Sequence, residues 1–261
     1  IFGYLLEWLY NGIGQNYGIA LILFTIILRI ILLPLTIKQQ TSMKKTTELQ
    51  GKMQEIQFKY KNNPELMNKE IMDLYKRENL SPFSGCISSI VQIVIIVSVF
   101  NLVSRPLTYM KKIDSGIIEN YRNEISAEND GKISNYYEIE IIQKRAVQDE
   151  NIKVNMDFLG LDLSKVPNQN LSDIKVYIIP LLYVISSIFS IKMTTGKTKK
   201  KEENSSSEPD MTQQMNKSMS YIMPIMAVSI AFMAPLGLAL YWLVSNILMI
   251  LERIVINKYV D

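Results

Sequence analysis

The chain is 261 residues long, 48% hydrophobic and 20% charged, with a net charge of +3 at neutral pH. That mixture points to apolar membrane spans joined by polar loops, and +3 is too small a charge to imply a nucleic-acid partner. There is no histidine and one cysteine, Cys86, which excludes histidine catalysis, histidine metal ligation, an intrachain disulfide and a thiolate cluster.

The chain begins at Ile1 rather than Met, so any secretion signal or lipid anchor would lie out of view. In residues 1–16, apolar side chains at positions 1, 2, 5, 6, 9 and 13 fall at helical spacing, with Trp8 and Tyr10 near one end. This predicts an amphipathic helix on the outer membrane interface; a leader remnant is the alternative.

The first span is predicted over 17–37, a run of 21 residues from Tyr17 to Ile37, enough to cross a bilayer. It carries one charge, Arg29, near its centre. A mid-membrane arginine costs roughly 2.5–3.5 kcal/mol on insertion scales. Arg29 is about 12 Å from the end of the run, too far for comfortable snorkelling. It therefore calls for a water-filled cavity within the membrane. The alternative is a structural ion pair, against which stands the absence of Asp or Glu within the other apolar runs.

Residues 38–82 hold nine Lys/Arg and six Asp/Glu. Met53, Ile56 and Tyr60, then Met67, Ile71, Leu74 and Tyr75, recur at helical spacing, with Asn63 as N-cap and Pro64 in the first turn of the second helix. This predicts a cytoplasmic helical hairpin with narrow apolar stripes, suited to binding, the alternative being a spacer. A second span follows at 86–104, an extracellular loop at 105–175 and a third span at 176–193. Residues 194–218 are polar and low in complexity, which predicts a flexible cytoplasmic loop. Gly196-Lys197-Thr198 lacks the upstream glycine and the strand of a phosphate loop. The basic run Lys197–Lys201 suits anionic headgroups or a ribosome surface.

The stretch 219–251 is free of charge and too long for one crossing; Pro235 and Gly237 divide it into a fourth span at 219–234 and a fifth at 236–256. The lysines and arginines flanking the first, third and fifth spans fall on one side, which places the N-terminus outside and the C-terminus in the cytoplasm. The expected fold is an all-α integral membrane protein of five transmembrane helices, with the cytoplasmic hairpin and the outer interfacial helix.

Several runs then resemble one family. They are Thr25-Ile26-Ile27-Leu28-Arg29, Leu33-Pro34-Leu35-Thr36, Gln40-Thr41-Ser42-Met43, Ser81-Pro82, Gly85-Cys86 and Gln92. They continue with Phe158-Leu159-Gly160-Leu161-Asp162-Leu163, Met223-Pro224, Ala234-Pro235-Leu236-Gly237-Leu238, Leu240-Tyr241-Trp242 and Ser245-Asn246. In order and spacing these resemble the YidC family of membrane-protein insertases, in its short Gram-positive form without the large periplasmic domain. Residues 106–154 match nothing in that pattern, and Ser186, Ser187 and Ser190 stand where members often carry a glutamine.

The resemblance implies an insertase of the bacterial cell membrane that is not an enzyme, works without ATP and has no cofactor, metal or catalytic residue. It implies a hydrophilic groove, open to cytoplasm and lipid, that carries short polar tails and releases spans sideways. The partners implied are nascent membrane-protein substrates, membrane lipids, and a ribosome, targeting factor and Sec translocon. The groove residues implied are Arg29, Thr25, Gln92, Tyr241 and Trp242. Each has a plainer alternative: back-bonding within its own helix for Thr25, helix packing for Gln92, interfacial anchoring for Tyr241 and Trp242. The rival function is a small-solute transporter or channel.

Overall fold

The computed structural model describes residues 1–78, 84–202 and 228–259. The described residues are mostly helical, with one two-stranded sheet. Two compact units appear: Ile1–Arg29 with Val99–Arg253, and Ile30–Ser98 with Ile254–Asp261.

In the first unit, α1 (Phe2–Gly12) buries Leu6, Leu9 and Tyr10 and leaves Tyr4 and Trp8 exposed. Its buried side meets a π-helical turn at Leu107–Lys111, so closely that a Cβ on Gly3 would sit 1.9 Å from the Tyr109 carbonyl oxygen. Glu7 and Lys112 form an ion pair at that junction.

The long helix α2 (Tyr17–Glu48) starts at Asn16, whose Oδ1 accepts from the Ile19 amide at 3.1 Å, satisfying a donor that the first helical turn cannot pair internally. It continues through Pro34 and past residue 37, where the apolar run stops. The segment expected to open the hairpin at 38 is thus an extension of α2; seven of its eleven residues over 38–48 are Lys, Gln, Met or Glu, all good helix formers.

Residues 105–175 form a folded lobe. Beyond the π-helical turn, α6 (Ser115–Glu128) packs on α7 (Tyr137–Arg145), burying Ile118, Ile125, Ile139, Ile141 and Ile142. Arg145 pairs with Glu124 and Glu128, and Tyr121 donates to Asp149 at 3.1 Å. Glu138 is 0% exposed; its two oxygens accept from the Thr108 amide at 3.0 Å and the Thr108 hydroxyl at 2.5 Å, clamping the π-helical turn to α7. Loss of water raises the Glu138 pKa above the usual carboxylate value, opposed by the Thr108 donors and by the charge of Arg105.

Residues 155–165 form a strap containing β1 (Asp157–Phe158) and β2 (Leu161–Asp162), a hairpin whose turn places Leu159 and Gly160 at φ +54° and +76°. The Asn155 carbonyl accepts from the Tyr17 amide at 3.0 Å, and the Asn155 amide donates to the Tyr10 hydroxyl at 2.9 Å. Asn16 Nδ2 donates to the Asp157 carbonyl at 2.8 Å. The carbonyls of Leu163 and Lys165 accept from Gly237 and Leu236, each at 2.9 Å. Gly237 and Leu236 open α9 (Leu236–Tyr259), which follows a bend at Ala234 and Pro235.

The strap therefore satisfies the first amides of both α2 and α9. Through the 3₁₀ turn at Ile174–Tyr177, which packs on β2, it also leads into α8 (Ile178–Glu202). Helices α2, α8 and α9 start from one level and run the same way. The C-terminal end of α5 (Ser84–Ser104) arrives at that level, with Val103 beside Gly237.

Among the described residues three stretches are long and apolar enough to cross a membrane, Tyr17–Ser42, Ile174–Met193 and Leu236–Ile256; Ile90–Ser104 is a shorter apolar helix. Of the expected fourth span only 228–234 is described, with 228–233 helical. The expected loop from 194 is helical as far as Glu202, again through Lys, Thr and Glu; its remainder lies outside the described residues.

In the second unit, α3 (Gln50–Lys59) and α4 (Pro64–Arg77) form an antiparallel hairpin. Asn63 Oδ1 caps α4 by accepting from the Leu66 amide at 3.2 Å, with Pro64 at the first position. Lys52 pairs with Glu78 at 2.8 Å, and Tyr75 points its hydroxyl at Met53 Sδ at 3.7 Å. Leu74 is buried, while Phe58, Leu66 and Met72 are exposed.

Two outcomes follow for the first unit. A Cβ at Gly18 would lie 2.5 Å from the Phe158 ring, so Gly18→Ala should displace the strap and cost about 1–3 kcal/mol, whereas Gly12→Ala, with nothing within 4 Å, should be neutral or stabilising. Thermal unfolding and amide exchange of residues 157–165 measure this.

The second concerns pH. Because the folded-state pKa of Glu138 is raised, its linkage stabilises the lobe below the ordinary carboxylate pKa, and that stabilisation is lost as pH rises through the folded value. The lobe should unfold more easily at pH 8 than at pH 5 through this group, and Glu138→Gln should flatten that part of the pH profile.

Candidate functional site

The chemistry of the first unit gathers where α2 meets α9. Arg29 Nη2 donates to Ser245 Oγ at 2.6 Å, and Arg29 Nη1 lies 3.6 Å from Glu252 Oε2. The side chains of Arg29 and Glu252 are 15% and 11% exposed. Tyr241 is buried beside them, hydrogen-bonded through its side chain to Ser245 and within electrostatic reach of Arg29.

Helical spacing explains the set. Tyr241, Ser245 and Glu252 are separated by four and seven residues, which puts them on one stripe of α9. Arg29 is about 18 Å along α2 from Tyr17 and Ser245 about 14 Å along α9 from Leu236. The shared starting level of the two helices thus brings the guanidinium and the hydroxyl to similar depth.

A second stripe of α9 faces α8. Asn246 Nδ2 donates to Ser186 Oγ at 2.9 Å and Ser187 Oγ at 3.2 Å, and Trp242 lies against Tyr183 with ring centroids 6.3 Å apart. Two of the three serines standing where the resembled family often carries a glutamine, Ser186 and Ser187, are therefore acceptors for an amide on the neighbouring helix.

Arg29 has a carboxylate partner, contrary to the reading from apolar runs. The charge-free run ends at Leu251, but α9 continues to Tyr259, so Glu252 lies inside the helix and its side chain leans back toward Arg29. Of the other sequence-derived residues, Tyr241 joins Arg29 through Ser245. Trp242 sits on the adjoining α8-facing stripe. Thr25 is buried and donates to the Leu21 carbonyl at 2.7 Å, within its own helix. Gln92 is exposed on α5 in the second unit. Ser245, Asn246 and Glu252 were not singled out as site residues from sequence; the signal available was helical spacing, with Ser245 four residues beyond Tyr241, Asn246 four beyond Trp242 and Glu252 seven beyond Ser245.

Long apolar helices with a paired guanidinium between two of them define a helical membrane protein with a polar cluster among its apolar helices. The chain belongs to the 60Kd inner membrane protein family, whose profile matches residues 8–261. It is 30% identical over 250 residues to the membrane protein insertase YidC of Treponema denticola, covering 96% of this chain and 36% of that protein. It is 29% identical over 266 residues to the membrane protein insertase YidC of Oceanobacillus iheyensis, covering 99% and 82%. To that of Fusobacterium nucleatum subsp. nucleatum it is 28% identical over 243 residues, covering 93% and 87%. The chain thus spans about a third of the first relative's length and more than four fifths of the other two.

The Asn246 bridge should contribute to α8–α9 association. Asn246→Leu should lower stability in detergent by about 1 kcal/mol, within the range measured for hydrogen bonds between membrane helices. A denaturant titration followed by tryptophan fluorescence should show it directly, because Trp242 reports the same interface.

Proposed function

We propose that this protein is a membrane-protein insertase that works without ATP. It moves short polar tails through a hydrophilic intramembrane groove and releases the attached spans sideways into lipid. The observation that carries this is Arg29, a charge kept within an apolar helix with one close hydrogen bond, to Ser245, among the described residues. The relatives named as insertases support it.

The physical logic is desolvation. A polar tail dragged through hydrocarbon loses its water, and a polar site part-way across shortens the dry path. A fixed guanidinium at low dielectric attracts an acidic tail more strongly than it would in water. Arg29 supplies that charge; Ser245 and Tyr241 hold it in place.

In the proposed topology the protein has five spans in the bacterial cell membrane, with the N-terminus and the 105–175 lobe outside and the α3–α4 hairpin in the cytoplasm. The apolar side chains exposed on the hairpin, Phe58, Leu66 and Met72, are suited to receiving a nascent span before it enters. Its further partners are lipids and, at the basic flanks, a ribosome, targeting factor and the Sec translocon.

Reconstituted insertion of a single-span substrate with an acidic translocated tail tests the proposal. Arg29→Lys, which keeps the charge, should retain most activity, and Arg29→Ala should lose about tenfold or more, with a smaller loss for an uncharged tail. Full activity of both variants on the acidic tail would overturn the electrostatic reading. Solute flux without insertion would point to a transporter or channel.

A further inference from the structure

Glu252 does more than neutralise Arg29. A strong arginine–carboxylate pair is bidentate, with N···O near 2.8 Å. Here the separation is 3.6 Å, beyond hydrogen-bond range, while the same guanidinium is held at 2.6 Å by Ser245. Glu252 Oε2 is buried and accepts no hydrogen bond among the described residues. Among the described residues the pair is loose on both sides: the guanidinium has donors beyond those it uses, and the carboxylate has an unfilled oxygen. Two opposite charges therefore lie side by side, each able to accept a better partner.

We infer that Glu252 is a specificity-determining residue, an internal stand-in for a substrate carboxylate, and that the site selects short tails carrying an acidic and a basic group together. This rests on the reading of Arg29 as the tail-facing charge. The incoming acidic group takes the spare donors of Arg29, and the displaced Glu252 takes the ammonium or guanidinium of the same tail. Four charges then pair two by two and none is left alone at low dielectric. A purely acidic tail would leave Glu252 unpaired beside a second negative charge. A purely basic tail would draw Glu252 away and leave Arg29 unpaired. Either costs far more than the exchange.

The test uses the full chain in proteoliposomes and a synthetic single-span substrate with an acetylated tail bearing one Asp, one Lys, both or neither. Protease protection of the tail is the readout. The unaltered protein should insert the balanced tail better than either singly charged one. Glu252→Gln should raise the ratio of acidic-tail to basic-tail insertion about tenfold, and Arg29→Gln should lower it by a similar factor. The double variant, with neither charge, should bring the ratio back toward one, so the effect of Glu252 is also read by comparing Arg29→Gln with the double variant, whether or not Glu252→Gln accumulates by itself. If Arg29→Gln impairs acidic tails but the ratio is the same with and without Glu252, the inference fails and the Arg29 reading stands. If Glu252→Gln reduces all four tails equally, Glu252 is only a structural counter-ion and the inference again fails. If Arg29→Gln changes no tail in either background, the reading of Arg29 fails and takes this inference with it.

Discussion

A single guanidinium inside an apolar helix constrains how the first unit is built. Arg29 cannot leave α2, and the middle of a hydrocarbon layer offers it no partner. Insertion scales put the cost of such a residue at roughly 2.5–3.5 kcal/mol when isolated. The protein answers from α9, with a hydroxyl at 2.6 Å and a carboxylate at 3.6 Å. That answer is incomplete by design of distance: one close bond fixes the guanidinium, while the looser carboxylate offsets its charge without saturating it. A fully bidentate pair at the same place would leave little to offer the tail that we propose it receives.

Such an arrangement works only if α2 and α9 are held in a fixed axial relation. The strap at 155–165 does this through backbone groups, not side-chain packing alone. Carbonyls of Asn155, Leu163 and Lys165 accept from Tyr17, Gly237 and Leu236, at the first turns of the two helices. Helix starts carry amides with no internal acceptor, so they are the natural places to join two helices by hydrogen bonds. A slip of one residue along either axis would shift the polar groups by about 1.5 Å and turn them by about 100°, enough to break the Arg29–Ser245 bond. The strap is in turn anchored by Tyr10 of α1 and by the close packing of Phe158 over Gly18. The lobe, remote from Arg29 in sequence, is tied through these contacts to the register of the site.

Much of the helical content was legible in the sequence. Apolar runs of sufficient length and the Asn63–Pro64 start signal each depend on neighbours a few residues away, and the helices stand there. Boundaries were less legible: α2 and α8 run past the ends of their apolar stretches because Lys, Gln and Glu continue a helix as well as Leu does. The fold of 105–175 was not legible. Its short helices and its hairpin are stabilised by contacts such as Glu138 to Thr108, thirty residues apart, which no local pattern announces. In the candidate site, Arg29 announced itself and Tyr241 was found by resemblance. Thr25 proved to be engaged with its own helix, and Glu252 was passed over because it lies one residue beyond a charge-free run.

By itself, then, the sequence determined which segments are apolar enough to span and that one of them carries a charge needing a partner. Both are local properties, fixed by composition and by the free energy of moving a side chain out of water. Only the tertiary structure decided which groups answer that charge. Ser245 is 216 residues from Arg29, and its arrival there depends on the rotation and depth of one helix against another. Those quantities are set by the hydrogen bonds of the strap to two helix starts, a constraint spread over distant parts of the chain and invisible in any one of them.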